Sequence, residues 1–172
     1  MRSDWIHPRD VGLLLALLTP PNRLVCQVSL ACGLRVGDVV SLRTQDVINP
    51  YAWITESKTG RRRRLSLGKP LRAALIAQAG PVWVFEGARD KSRHRSRQAV
   101  WSDLHRAAVA LRLKSNVSPH SMRKCFAVNL MQRTSSIDAV QKSLGHTDQA
   151  TTLLYALANQ LHPRSRNGAS LG

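Results

Sequence analysis

The chain of 172 residues sets 26 lysines and arginines against 10 acidic residues, a formal net charge of +16. Twenty of the basic residues are arginine, the side chain whose planar fork matches phosphate oxygens, so a polyanion, nucleic acid first, is the expected partner. With 43% hydrophobic residues the chain can bury a core, which excludes a disordered polycation, and no apolar run approaches the roughly 20 residues of a membrane span. Cys26, Cys32 and Cys125 have no metal-ligand spacing and read as buried free thiols. The N-terminus has no signal-peptide layout, so the expected location is the cytoplasm.

The elements follow in chain order. Pro8 opens a helix carrying Val11, Leu14, Leu15 and Leu18, which Thr19-Pro20-Pro21 ends. A second helix runs from about Asn22, with Leu24, Val28 and Ala31 on one face and Gly33 as its stop. Residues 33–38 form a tight turn, and Asp38 caps or opens a short helix through Leu42. Ala52–Glu56 and Arg62–Leu67 read as strands, with Lys58-Thr59-Gly60 as the hairpin tip. Tyr51 reads as half-buried at the entry to the first strand. Leu71–Gln78 is a short helix, Val82–Phe85 a brief extended piece, and Glu86–Arg97 an exposed basic loop. Ser96 caps a helix that turns Val100, Leu104, Ala107, Ala108 and Leu111 inward. Pro119 opens the next, with Met122, Phe126 and Leu130. The spacing Ser135-Ser136-Ile137-Asp138 is that of a capping box before Val140 and Leu144, and Gly145 ends that helix. Thr147 caps a last helix holding Leu154, Tyr155 and Leu161, before a polar tail over 163–172. The four tryptophans read as core. The expected class is mainly α with a small antiparallel hairpin or three-stranded sheet (α+β), as one domain over 1–172.

Several polar residues interrupt this pattern. Arg35 follows a glycine turn, Lys58 sits at a hairpin tip, and His120 and Arg123 share a helix face at i, i+3. His146 follows a helix-stopping glycine, and Tyr155 lies nine residues later beside Leu153 and Leu154. Together they suit attack by a phenol on a phosphodiester, without a metal. Two guanidiniums clamp the nonbridging oxygens as charge builds, the cationic surround lowers the phenol's pKa, and lysine or histidine protonates the departing alkoxide.

The same residues carry a family resemblance. The stretch Ala31–Leu42 resembles the first arginine motif of the tyrosine recombinases, the phage-integrase family. His120-Ser121-Met122-Arg123 is similar to their H-x-x-R, and Leu144-Gly145-His146, Thr151-Thr152 and Tyr155 to their L-G-H…T-T…Y ending. Lys58 before Thr59-Gly60 resembles their hairpin lysine. The resemblance spans about residues 5–160 and implies a site-specific recombinase or integrase catalytic domain that cuts double-stranded DNA through a 3′-phosphotyrosyl intermediate. A 5′-hydroxyl of a partner strand then attacks that link, so neither ATP nor metal is required and no cofactor is expected. Carried over residue by residue, Tyr155 is the nucleophile and Arg35 and Arg123 bind the scissile phosphate. His120 serves proton transfer, Lys58 is the general acid, and His146 contacts a nonbridging oxygen and positions Tyr155. Asp38 holds Arg35 in place. Lys124 stands where the family often has histidine. The implied assembly is a homo-tetramer on DNA and a monomer alone, in a bacterial, plasmid-borne or phage-borne setting at the nucleoid.

The family's separate core-binding domain is not expected in this chain, which fits a compact member, a truncated gene or an expressed fragment. Two basic runs are candidate DNA contacts: Arg61, Arg62, Arg63 and Arg64 after the hairpin, and Arg93, Arg95 and Arg97 in the loop. On a strand, Arg62 and Arg64 share one face and Arg61 and Arg63 the other. The competing readings are a recombinase-derived DNA-binding or regulatory protein without full recombination activity, a type IB topoisomerase sharing the chemistry, and a basic RNA-binding protein. The last predicts no convergence of Arg35, His120, Arg123 and Tyr155.

Overall fold

The computed structural model describes residues 3–49, 51–58, 60 and 62–145. The chain divides into two compact units, residues 1–126 and 127–172. The first unit begins with α1 (Pro8–Leu17) and α2 (Pro20–Cys32), followed by the single-turn helices α3 (Val36–Val40) and α4 (Thr44–Ile48). Strands β1 (Trp53–Thr55) and β2 (Arg62–Arg64) come next, then α5 (Lys69–Gln78), α6 (Arg97–Ala110) and the start of α7 (Pro119–Thr134). The second unit holds the rest of α7 and α8 (Ile137–Leu144). The strands pair antiparallel, Trp53 opposite Arg64 and Thr55 opposite Arg62. The expected α+β class is what the chain adopts, with two paired strands. Trp83 makes only an isolated bridge to Arg43, so the Val82–Phe85 piece does not become a third strand.

Helix α2 is the hub of the first unit, packing on α1, α3, α5 and α6. That placement explains its wide buried face, which includes Val25, Val28, Ser29 and Cys32, while Ala31 is exposed. The prolines that end α1 also start α2, because proline at the first helical positions gives up only N–H groups that are orphaned anyway. The missing donors' neighbour is capped from afar. The Thr19 N–H and hydroxyl both donate to Asp103 Oδ2 of α6, at 2.9 and 2.7 Å, and Asn22 Nδ2 adds a third bond at 2.8 Å. Leu14, Leu34, Leu75, Phe85, Leu104 and Met122 are fully buried around this hub.

Helix α4 escaped the periodicity reading because five residues are too few to display a stripe. It is held by a local cap at its start and a tertiary one at its end. The Arg43 N–H donates to Asp46, and the Arg72 guanidinium of α5 donates to the carbonyls of Val47, Ile48 and Asn49. Ser96 caps α6 as expected, accepting from the Ala99 N–H at 3.1 Å. In the second unit Ser136 caps α8, accepting from Ala139, so the expected capping box does not form: the cap falls one residue later, where the third helical residue is an alanine with no side chain to return the bond. Gly145 closes that helix in the left-handed region.

The three thiols are free and buried, and burial pushes Cys26 up to about 12 and Cys32 to about 11, so both stay protonated. Two tryptophans depart from the expected core role. Trp53 and Trp101 are 39% and 41% exposed, the first beneath Arg62 and the second stacked on His105. Tyr51, expected half-buried, is exposed beneath Arg64. No described helix is long and apolar enough to cross a membrane.

Candidate functional site

The first arginine sits on a turn that glycine makes possible. Gly33 ends α2 at φ +66°, and a Cβ there would collide with the Phe126 ring, so both conformation and space demand glycine. Its N–H donates to Ser29 O, and the Ser29 hydroxyl donates to Leu34 O at 2.8 Å. The chain therefore leaves α2 along one path. Arg35 follows in extended conformation as the residue before α3, half-buried, and its Nη2 finds no acceptor among the described residues.

The second arginine arrives on α7. Arg123 is only 3% exposed and donates from Nη1 to Gly33 O at 2.7 Å, which ties the helix to the glycine turn. Burial first, then the neighbouring Arg35 charge, pulls its pKa down to about 10, opposed by Glu56. It remains a cation at neutral pH. His120 lies one turn earlier, where the Ser118 hydroxyl accepts from its N–H. Its edge reaches solvent, yet partial desolvation, and next the charges of Arg123, Lys124 and Arg35, lower its imidazole below the ordinary value. It is therefore neutral at pH 7. Lys58 is exposed on the hairpin, two residues before Gly60 at φ +64°, whose N–H closes the turn onto Glu56 O.

These pieces meet. One open cleft of about 310 Å³ is lined by Arg35, Val36, Gly37, Ser57, Lys58, Arg97, Pro119, His120 and Arg123. Four of the six residues singled out for chemistry share it, no acidic side chain lines it among the described residues, and Arg97 adds a further cation from the first turn of α6. His146, Tyr155 and Arg61 lie outside the described residues.

Three expectations need correction. Asp38 does not pair with Arg35. Its Oδ1 accepts from the Ser57 N–H at 2.9 Å and the Ser57 hydroxyl at 2.7 Å, because the single turn of α3 aims it at the hairpin. The carboxylate that meets Arg35 is Glu56, 3.5 Å from Nη1 and 3.1 Å from Arg63 Nε. Arg63 accordingly turns inward, donating also to Cys32 O at 2.8 Å, while Arg62 and Arg64 project outward. Strand alternation dictates this split. Arg95 likewise points inward, to Asn22 Oδ1, whereas Arg93 is exposed beside Asp90.

Glu56 was missed, although a signal existed. Ala52, Ile54 and Glu56 fall on one face at period two and all are buried. An acid on the apolar face of a strand, in a chain of charge +16, implies a cationic partner beneath it.

The model of the phage integrase family matches residues 5–162. The tyrosine recombinase XerD of Staphylococcus saprophyticus is 26% identical over 91% of this chain, and that of Mycobacterium tuberculosis is 29% identical over 87%. The chain spans only 62% and 54% of those two relatives. Among solved structures, a lambda integrase dimer bound to a COC′ core site aligns over 100% of this chain and 64% of its own, with a TM-score of 0.74 at 19% identity. The catalytic domain of bacteriophage HP1 integrase aligns over 99% of this chain and 100% of its own, with a TM-score of 0.68 at 17% identity. Motifs, fold and matched span agree, and the chain belongs to the phage integrase family.

Proposed function

We propose that this chain is the catalytic domain of a site-specific DNA recombinase, cutting and rejoining strands by transesterification. The observation that carries the reading is the convergence of Arg35, Lys58, His120 and Arg123 on one cleft. An RNA-binding protein has no need for that convergence. In the proposed reaction Arg35 and Arg123 hold the nonbridging oxygens of the scissile phosphate. The Tyr155 oxygen attacks phosphorus and the bond to the 5′-oxygen breaks. Lys58 gives that oxygen its proton. Neutral His120 exchanges a proton with the reacting groups, and His146 contacts the phosphate and orients Tyr155, roles assigned from the sequence motif. A 5′-hydroxyl of a second strand then reverses the step with a new partner. The number of phosphodiester bonds is conserved, so no nucleotide cofactor enters.

Duplex DNA as partner is supported by the charge of +16 and by the lambda integrase relative being bound to a core site. Arg97 in the cleft and outward Arg62, Arg64 and Arg93 are the proposed backbone contacts. Assembly as a tetramer on DNA, from monomers, in the bacterial cytoplasm belongs to the same reading.

The test is a pool of nicked duplexes of random sequence, from which covalent protein–DNA adducts are captured. The chain should select cleavable sequences, and Tyr155→Phe should abolish adduct while retaining duplex affinity within about threefold, since the phenol adds little to a phosphate-dominated affinity. Retained binding without adduct in the unmodified chain would leave a DNA-binding or regulatory protein. Adduct from Tyr155→Phe would remove the nucleophile from the scheme.

A further inference from the structure

Two buried carboxylates cross between the segments that carry the proposed phosphate clamp and the proposed general acid. Asp38, 1% exposed on α3, reaches over to the hairpin and accepts both the N–H and the hydroxyl of Ser57, the residue before Lys58. Glu56, also 1% exposed, reaches back from the hairpin to Arg35, three residues before Asp38, and to Arg63 on the paired strand. The contacts run in opposite directions between the same two segments. A shift of the hairpin relative to the arginine turn therefore strains both at once. Each is a charge-assisted contact in a poorly solvated site, where such contacts are stronger and more directional than in water.

We propose that Asp38 and Glu56 form a reciprocal clamp that fixes Lys58 and Arg35 at one separation, making Glu56 and Ser57 positioning residues for strand cleavage. The role rests on the strand-cleavage reading above. Neither residue touches DNA in this scheme. Glu56 acts through the guanidinium of Arg35, and Asp38 acts through Ser57 on the lysine. Phosphoryl transfer needs the oxygens gripped and the leaving oxygen protonated in a single geometry, and a misplacement on the order of 1 Å can cost about 100-fold in rate. The clamp also explains why a chain with so few acidic residues buries two of them beside this basic cleft.

The two carboxylates differ in what they serve, and that difference is measurable. On nicked duplexes captured from the random pool, Asp38→Asn and Glu56→Gln should each slow adduct formation by about 10- to 100-fold, with duplex affinity changed less than about threefold. A 5′-phosphorothiolate at the cleavage position has a leaving thiolate that needs no proton. It should restore most of the rate of Asp38→Asn, which loosens only the lysine hairpin, and little of the rate of Glu56→Gln, which loosens Arg35. Ser57→Ala, which keeps the backbone bond, should slow cleavage only a few-fold and be rescued in the same way, so the test survives if Glu56→Gln does not fold. Absence of rescue in both Asp38→Asn and Ser57→Ala would overturn the proposal, as would affinity falling in step with rate. A second measurement needs no DNA. The Ser57 amide should be protected from hydrogen exchange in the unmodified chain and exchange at least about tenfold faster in Asp38→Asn, while the Val28 amide in α2 is unchanged. Equal Ser57 exchange in the two proteins would overturn the clamp. If the unmodified chain forms no adduct, the strand-cleavage reading falls, and the exchange result alone decides whether the clamp exists.

Discussion

Arg123 does two jobs with one guanidinium. It holds the Gly33 carbonyl and lines the cleft, so its substitution separates charge from architecture. Arg123→Ala should reduce adduct formation by about 100- to 1,000-fold, the usual cost of deleting a donor that strengthens in the transition state. Arg123→Lys keeps the charge without the fork and should recover only part of that loss, read from single-turnover rates on a captured duplex. Beside it, His120 supplies a pH signature. Its pKa lies below the ordinary histidine value of about 6.5, so it is neutral at pH 7 and gains a proton only as the medium becomes more acidic. If its neutral form is required, the acid limb of the cleavage rate falls below pH 6.5, and His120→Gln removes that limb. A limb centred above pH 6.5 that survives in His120→Gln would assign the titration elsewhere. The pairing of Arg35 with Glu56 rather than Asp38 belongs to this scale too. One-dimensional spacing places an acid three residues after Arg35, but only the fold shows that its carboxylate faces the hairpin.

Among elements, α2 depends on another helix for its start. Asp103 on α6 accepts from the N–H and hydroxyl of Thr19, the residue before α2, and from the Asn22 side chain in its first turn, and also pairs with Arg106 at 2.6 Å. Desolvation would raise its pKa, but the bonds from Asn22, Thr19 and Arg106 outweigh that and hold it near 2. Because the folded value is depressed, this stabilisation is present above about pH 4 and is lost as pH falls toward 2. Asp103→Ala should destabilise by about 2–4 kcal/mol at pH 7, from the donors of Thr19 and Asn22 left unpaired, and much less near pH 2, as denaturant titration would read. Gly33→Ala is expected to cost a similar amount, about 2–4 kcal/mol, because a Cβ at positive φ also displaces Phe126. On the hairpin, Arg62 stacks at 5.0 Å over Trp53 and Arg64 at 4.6 Å over Tyr51, which limits their wandering and faces both outward. Replacing both with alanine should flatten the salt dependence of duplex binding by roughly one to two units of slope. The same change at Arg63 should lower stability instead, since it would remove one of the two arginines on buried Glu56 and release Cys32 O.

For the molecule as a whole, the +16 charge, the helix starts at Pro8, Ser96 and Pro119, and the stops at Gly33 and Gly145 were legible in the residues alone. Local chemistry suffices there, because caps, left-handed glycines and apolar periodicity act within a few residues of one another. The gathering of Arg35, Lys58, His120 and Arg123 was expected only through the family resemblance of the motifs. Tertiary structure alone decided which arginines serve the interior. Arg63, Arg72 and Arg95 bind carbonyls, Glu56 and Asn22 across separations of 7 to 73 residues, and nothing local distinguishes them from the outward Arg62, Arg64 and Arg93. Tertiary contacts also made α4 a helix, aimed Asp38 at Ser57, and left Trp53 and Trp101 at the surface. A cation's role depends on which unpaired acceptor the fold brings within reach, and that is a property of packing rather than of sequence distance.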